Sequence, residues 1–260
     1  MTRAPRRPPA RKWLAAALAS LALLLGGCVF LRLLAFKHQL AAFDRNFTLE
    51  TTDGVRLGCL NPVLLSDDFR WLGITPESII RVGRAEQWHV RWIKQPLPGV
   101  TEDVVRDVDA ELIFTDGKLT RLFVPERYFA VIPKSFLIGL IRGAGAADVD
   151  RTQRSAAVSL SRPGEIRVDA QVTQSALVTL LGPPSEQRVE GARTMLRYVY
   201  APTPPREKGG RFEMTFSFET GTGRLLLLKG RLPVGQLAFN FEPPPGSMPP
   251  AARADLPPKL

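Results

Sequence analysis

The chain has 260 residues, of which 45% are hydrophobic, and a formal net charge of +10. This length suits one large domain or two small ones, each with a buried core. Five positive charges precede residue 13, and the other basic residues are interspersed with Asp and Glu. No basic stripe of the kind that follows a phosphate backbone is present in the sequence, which argues against a nucleic-acid partner.

An uncharged run of 19 residues over 13–31 follows the basic start of the chain. A basic region, an apolar region and small residues, in that order, are typical of a secretory signal. Leu25, Gly26 and Gly27 stand directly before Cys28. Together they resemble the bacterial lipobox, in which the signal is cut before a cysteine whose thiol then carries diacylglycerol. The resemblance implies that Cys28 is the lipidated residue.

The same run also fits an uncleaved signal-anchor helix, because about 20 apolar residues span a hydrocarbon core of about 30 Å. Val29, Phe30 and Leu31 favour this alternative, since they keep the chain apolar beyond the cysteine. The sequence leaves both alternatives open. In either case we expect residues 1–36 to tether the chain to a membrane of the cell envelope, with residues after about 40 on the periplasmic side.

The first half of the remaining chain contains turn signals. We expect a short helical stalk over 37–46 and a first α+β module over 47–130. Alternating apolar residues flank Asp53-Gly54 and, further along, Asp116-Gly117. Each pattern predicts a β-hairpin, because both turn residues tolerate positive φ.

A helix is expected between Thr75 and Gly83. Thr75-Pro76-Glu77 has the composition of a helix start, and the glycine that of a stop. A helical connector is expected over 131–165, a second α+β module over 166–242, and a disordered tail over 243–260, where seven of 18 residues are proline.

In the second module, Thr173 begins a segment with helical spacing that ends at Gly182. Alternating strands follow, and the last one is centred on 237–241. The predicted fold class is therefore α+β: an N-terminal membrane segment followed by two similar helix-plus-antiparallel-sheet modules.

The stretch VTQSALVTLLGPP over 172–184, followed by LRYVY over 196–200, resembles the signature of the SmpA/OmlA (BamE-like) envelope lipoproteins. That family ends a helix with a similar V-T-x-x-x-V-x-x-x-L-G-x-P motif and continues into an aromatic strand. The resemblance implies a helical pair on a three-stranded antiparallel sheet and an envelope location. Its best-known member is an accessory subunit of outer-membrane β-barrel assembly, and the wider fold group includes tandem-module secreted enzyme inhibitors.

We expect a non-enzymatic, membrane-tethered envelope protein that acts as a binding or assembly module, with an envelope protein as partner. The processes implied by the resemblance are outer-membrane protein assembly and envelope maintenance. The alternative is a tandem-module extracytoplasmic inhibitor or ligand-binding protein.

No catalytic residue, cofactor or metal site is expected from the sequence. His38 and His89 are isolated, and the alternating acids Asp107, Asp109 and Glu111 suit a solvated strand face. The adjacent acids Asp67 and Asp68 suit the start of a helix.

Four aromatic residues are candidates for a binding surface, because large rings dominate interface energetics. They are Trp88, Trp92, Tyr198 and Tyr200. Their alternation along strands favours core packing over surface exposure.

Overall fold

The computed structural model of the chain describes residues 29–95, 106–130, 132–150, 152–159, 172–203 and 210–242. The α-helices in these residues are α1 over 29–41, α2 (Phe43–Asn46), α3 (Ser66–Trp71), α4 (Lys134–Ala144) and α5 (Gln174–Leu181). A 3₁₀ helix covers Glu126–Ala130. The strands are β1 (Phe47–Glu50), β2 (Gly54–Cys59), β3 (Ser78–Val82), β4 (Ala85–Lys94), β5 (Val108–Thr115), β6 (Lys118–Pro125), β7 (Asp148–Asp150), β8 (Ser155–Ser159), β9 (Glu186–Glu190), β10 (Arg193–Pro202), β11 (Phe212–Glu219), β12 (Leu225–Leu232) and β13 (Gly235–Asn240).

All of these strands join one sheet of 13 strands. Its order from edge to edge is β1-β2-β6-β5-β4-β10-β11-β12-β13-β8-β7, and in addition β3 pairs with β4 and β9 with β10. Neighbouring strands are antiparallel, except that β13 and β8 are parallel. The sheet is therefore mixed.

The predicted fold class, an α+β chain with two similar helix-plus-antiparallel-sheet modules, is wrong. The two halves share one sheet because β4 and β10 pair at their C-terminal ends, where Lys94 lies opposite Tyr200. The backbone N–H of Gln95 extends this pairing by donating to the carbonyl oxygen of Val199 at 2.8 Å. Two separate sheets would each leave unpaired N–H and C=O groups along an edge, and joining the sheets satisfies those groups.

The same order of elements occurs on both sides of the β4–β10 pairing. A helix, a short strand, a long strand and a hairpin follow one another as α3, β3, β4 and β5–β6, and again as α5, β9, β10 and β11–β12. Each short strand pairs with the first part of its long strand. The remaining ends of the two long strands pair with each other, so β3 lies in line with β10, and β9 in line with β4.

The hairpins predicted from Asp-Gly turns are confirmed. β1 pairs with β2 across Asp53-Gly54, and β5 pairs with β6 across Asp116-Gly117. Asp116 and Gly117 have φ values of 51° and 75°. Positive φ at both central residues is what a two-residue hairpin turn requires, because its twist then matches that of the strands.

The helix predicted after Thr173 is also confirmed as α5. The Thr173 side chain accepts a hydrogen bond from the backbone N–H of Ala176 at 3.2 Å, which satisfies one free donor of the first turn. Gly182 follows the helix with a φ of 71°. The buried hydroxyl of Tyr198 donates to the carbonyl oxygen of Gly182 at 3.0 Å and so attaches the end of the helix to β10.

The helix expected between Thr75 and Gly83 is wrong, because this segment forms β3. Ile79, Ile80 and Val82 are β-branched and favour extended backbone, and the pairing with β4 outweighs the local signal of a helix start. The segment 131–165 contains α4 and also β7 and β8, and β8 lies beside β13 in the sheet.

The helices cover one face of the sheet. Phe69 of α3 packs with Trp88 and Phe114 in one buried cluster. Leu177 of α5 packs with Tyr198 and other strand residues in a second cluster. Both clusters lie on the same face, because paired residues in neighbouring strands point to the same side.

Helix α1 is part of this packing. Leu33 and Phe36 contact the cluster around Trp88, and Leu40 is buried in a third cluster with Phe43 and Phe47. Residues 37–46, expected to form a stalk, are thus helical and partly buried in the core. We refer to the sheet with its covering helices as the folded body.

The C-terminal ends of α1 and α4 are in direct contact at Gly145, the residue that follows α4. A Cβ atom at this position would lie closer than 3.0 Å to backbone atoms of Leu40 and Ala41. Glycine therefore allows the two backbones to touch, and a larger residue forces them apart.

We predict that Gly145→Ala lowers the free energy of unfolding by about 1–3 kcal/mol, because overpacking a rigid contact displaces backbone. Urea unfolding of the detergent-solubilised chain, followed by tryptophan fluorescence, measures the change. Gly221→Ala is the matched control, since a Cβ at Gly221 meets nothing within 4 Å. Equal stability of the two variants would contradict a close α1–α4 contact.

Candidate functional site

A buried ion pair connects α1 to α3. The Arg32 guanidinium donates from Nε to Oδ2 of Asp68 at 2.7 Å and from Nη2 to Oδ1 at 2.5 Å. The Asp68 side chain is 0% exposed. The backbone N–H of Leu65 also donates to Asp68 Oδ2, at 2.8 Å, so this carboxylate serves the first turn of α3 as well.

Arg32 is the only charged residue between Trp13 and Phe36. A charge within an apolar run needs a partner wherever the run leaves water. In the structure that partner is a carboxylate of the folded body. Arg32 therefore fixes the rotation and position of α1 at the helix end nearest to the uncharged run.

Apolar side chains are exposed at this end of α1. Phe30 is 43% exposed, Leu31 65% and Trp71 36%. The rings of Phe30 and Trp71 meet edge to face, with centroids 5.2 Å apart. Beside them lies an open groove of about 390 Å³, lined by Leu31, Arg32, Ala35, Pro62, Val63, Leu65 and Lys118. We call Phe30, Leu31, Trp71 and this groove the α1 corner.

Residues 1–28 and 243–260 lie outside the described residues, and so do the lipobox residues Leu25, Gly26 and Gly27 and the candidate lipidation site Cys28. Among the helices that the structure describes, none combines the length and apolarity needed to cross a membrane. The free thiol of Cys59 is half-buried, and burial raises its pKa to about 11, as for a structural cysteine.

The four aromatic candidates do not form a surface. Trp88, Tyr198 and Tyr200 are each 0% exposed, and Trp92 is partly buried between the two main clusters. The interpretation as a binding surface is therefore corrected: their alternation along β4 and β10 points the rings under the helices. All four are core residues, and Trp92 and Tyr200 lie where β4 and β10 pair.

The opposite face of the sheet carries a connected polar network. His89 of β4 lies between two carboxylates, with Nδ1 3.1 Å from Glu77 Oε2 and Nε2 3.4 Å from Asp109 Oδ2. Arg91, two residues along the same strand, donates from Nη2 to Asp107 Oδ2 at 2.7 Å. Strand periodicity places these side chains together because alternate residues share a face.

Asp109 is the centre of this network. Its Oδ1 accepts from the Tyr128 hydroxyl at 2.6 Å and from Arg127 Nη2 at 2.5 Å. Burial raises the pKa of the Asp109 carboxyl. The hydrogen bonds and charges of Tyr128, Arg127 and His89 lower this pKa by more than burial raises it, so that it lies below its ordinary value. Burial beside this carboxylate raises the pKa of Tyr128 to about 12.

The side chains of the network form their hydrogen bonds and ion pairs with one another. Each carboxylate in it is paired with an arginine, a histidine or the tyrosine, and the side chains of Asp107 and Asp109 are largely buried. Within the part of the chain that the structure describes, no set of three His, Cys, Asp or Glu residues is arranged to hold a metal ion. A neutral phenol and paired carboxylates suit the stabilisation of the β4–β5 pair more than proton transfer.

Two cations, Arg106 and Lys94, lie at the C-terminal end of α5. Arg106 Nη1 donates to the carbonyl oxygens of Thr179 and Leu180. Lys94 is 6% exposed, and its Nζ lies 5.7 Å from the centre of the Tyr198 ring. Cations at a helix C-terminus are favourable because the free carbonyl groups there carry partial negative charge.

Comparisons with known proteins gave no relative for this chain. No family model, no curated protein and no solved structure matches it.

Sequence reasoning assigned Asp68 to helix-start electrostatics and did not pair it with Arg32. The available signal was the isolated charge at Arg32 within an apolar run. Asp107 and Asp109 were expected on a solvated face, yet their side chains are only 7% and 18% exposed. The 3₁₀ helix that brings Tyr128 over them has no signal in the strand pattern.

We predict that Arg32→Met lowers the free energy of unfolding by about 3 kcal/mol, because it leaves a buried carboxylate unpaired. Adding Asp68→Leu should restore part of this loss, since the uncompensated charge is then removed. Urea unfolding of the single and double variants gives the coupling between the two sites. The control is Arg84→Met, because the Arg84 side chain is 80% exposed in its pair with Asp116 and should contribute less than about 1 kcal/mol. Additive effects of the two substitutions would contradict the ion pair.

Another prediction concerns the pH dependence of the free energy of unfolding. Because the folded pKa of Asp109 lies below the unfolded value, its contribution to stability is present above pH about 4 and is lost as the pH falls through the folded pKa. Asp109→Asn should therefore be less stable than the parent at pH 7, and the difference should shrink below pH about 4. Unfolding titrations across this range measure it. Asp53→Asn, at a residue whose side chain is 71% exposed, serves as control, and parallel pH curves for Asp109→Asn and the parent would refute the pairing.

Proposed function

We propose that this chain is a non-enzymatic, membrane-tethered protein of the cell envelope that binds another envelope component. The observation that carries the proposal is the position of α1. The described part of α1 begins at residue 29, within the uncharged run, and it packs on the folded body through Arg32, Leu33 and Leu40. The tether and the body are thus adjacent, without a spacer.

Both kinds of tether agree with this arrangement. A lipid on Cys28 would stand on the residue before the described part of α1, and a signal-anchor helix would continue into α1. The intact mass of the membrane form distinguishes them: a mass near 28.7 kDa indicates the anchor, and a chain that begins at Cys28 with acyl groups indicates the lipoprotein.

A binding role is supported by the strand β3. Its pairing among the described strands is with β4 alone, and Ile80 and Val82 on it are 57% and 72% exposed. An exposed apolar strand edge is a template for a strand or loop of a partner. The groups of the polar network are paired with one another, which suits a structural role more than proton transfer.

The resemblance of residues 172–200 to the SmpA/OmlA lipoproteins rests on the sequence motif. It points to outer-membrane protein assembly as the process to test first, with a protein of that machinery as the partner.

The test uses whole membranes that contain the full chain with a photocrosslinking residue in place of Val82. After illumination and an alkaline carbonate wash, we expect the chain to stay in the membrane pellet and to form an adduct of one discrete mass. The same residue at Gly221, in the β11–β12 turn, should give no such adduct. Release of the chain by carbonate would exclude the tether, and the absence of a discrete adduct at position 82 would exclude binding at β3.

A further inference from the structure

We propose that the α1 corner rests on the membrane, with Phe30, Leu31 and Trp71 in the headgroup region, and that this contact holds the folded body in one orientation. The inference depends on the proposed tether and goes beyond it. A tether by itself leaves the body free to rotate and tilt, whereas a lipid-facing corner defines which surfaces face the periplasm.

The first argument is distance along the chain. Phe30 and Leu31 are the second and third residues after Cys28, and residues 13–28 contain no charge. At about 1.5 Å per helical residue, both lie within one turn of the point where the chain leaves the bilayer or its lipid. Because α1 is fixed to the folded body, the residues of the body that lie beside Phe30 are at the same depth relative to the membrane surface as Phe30.

The ion pair supplies the rigidity that this argument needs. Arg32 lies one residue after Leu31, and its guanidinium makes two hydrogen bonds to a carboxylate that has no solvent exposure. Further along α1, Leu40 is buried in a core cluster and the helix end packs closely against Gly145. Trp71 is part of the body, and its ring contacts Phe30. The membrane therefore meets Trp71 together with the start of α1.

The chemistry of the corner fits a bilayer surface. Large aromatic rings with a polar edge concentrate at membrane–water interfaces, and Trp71 presents such a ring. The groove beside it is mainly apolar and includes Lys118, which is exposed. An exposed ammonium group at this level is placed to meet anionic lipid headgroups.

The α1 corner differs in its place along the chain from the most exposed apolar residues elsewhere in the described structure. Ile80, Val82 and Val189 are as exposed as Phe30 or more so, but they lie on β3 and β9. Only the α1 corner, within the described residues, combines exposed apolar rings with direct continuity to the uncharged run. Lipid is therefore the occupant that the structure favours over a protein partner.

The experiment measures the contact of Trp71 with lipid. The full chain carrying Trp13→Phe is reconstituted into vesicles of phosphatidylcholine and phosphatidylglycerol, with or without brominated acyl chains, which quench tryptophan on contact. We expect bromolipid to quench part of the fluorescence, and we expect this part to disappear when Trp71→Phe is added. Trp88 and Trp92 remain in that variant and provide the internal reference, because Trp88 is fully buried and Trp92 is partly buried between the two main core clusters.

The matched control carries Trp71→Phe together with Val189→Trp, which places an exposed tryptophan on β9. Its new fluorescence should be quenched by aqueous iodide and not by bromolipid. Quenching of Trp71 by iodide and not by bromolipid would overturn the proposal and leave the corner open to a protein. Equal bromolipid quenching at positions 71 and 189 would also overturn it, because the body would then have no preferred orientation. A chain that does not float with the vesicles would reject the tether itself, a result distinct from a tethered chain with an aqueous Trp71.

Discussion

The carboxylate of Asp68 has no contact with solvent, and the rest of the arrangement depends on how its charge is balanced. Arg32 supplies the balancing charge from α1 in a bidentate geometry, and the first turn of α3 supplies a backbone N–H. A buried charge tolerates little displacement of its partner, since separation leaves an unpaired ion in a low dielectric. The pair thus makes the segment nearest to the uncharged run part of the folded body.

The second constraint is the pairing of β4 with β10. It joins two runs of strands with the same order of elements into one sheet, and the C-terminal ends of α1 and α4 meet at Gly145. The chain therefore presents one body with three distinct surfaces: the α1 corner, the strand edge at β3, and the polar face around Asp109. The tether that we propose at the first of these surfaces would determine where the other two point.

Local signals in the sequence predicted part of this fold correctly. Asp116-Gly117 specifies a hairpin because both residues adopt positive φ, and Thr173 with Gly182 specifies the start and end of α5. These features depend on neighbours within a few residues. The strand β3 was predicted as a helix because its start signal is local, whereas the pairing with β4 that decides its conformation is not.

The sequence alone determined the uncharged run that leads into α1, the turns of the hairpins and the alternation that buries Trp88, Tyr198 and Tyr200. It indicated that Arg32 is an isolated charge but not where its partner lies, because Arg32 and Asp68 are 36 residues apart. Only the tertiary structure decided that both halves share one sheet, that α1 belongs to the body, and that Phe30 meets Trp71. The reason is physical: backbone preferences act between neighbours in the chain, whereas strand edges and buried charges are satisfied by groups that only folding brings together.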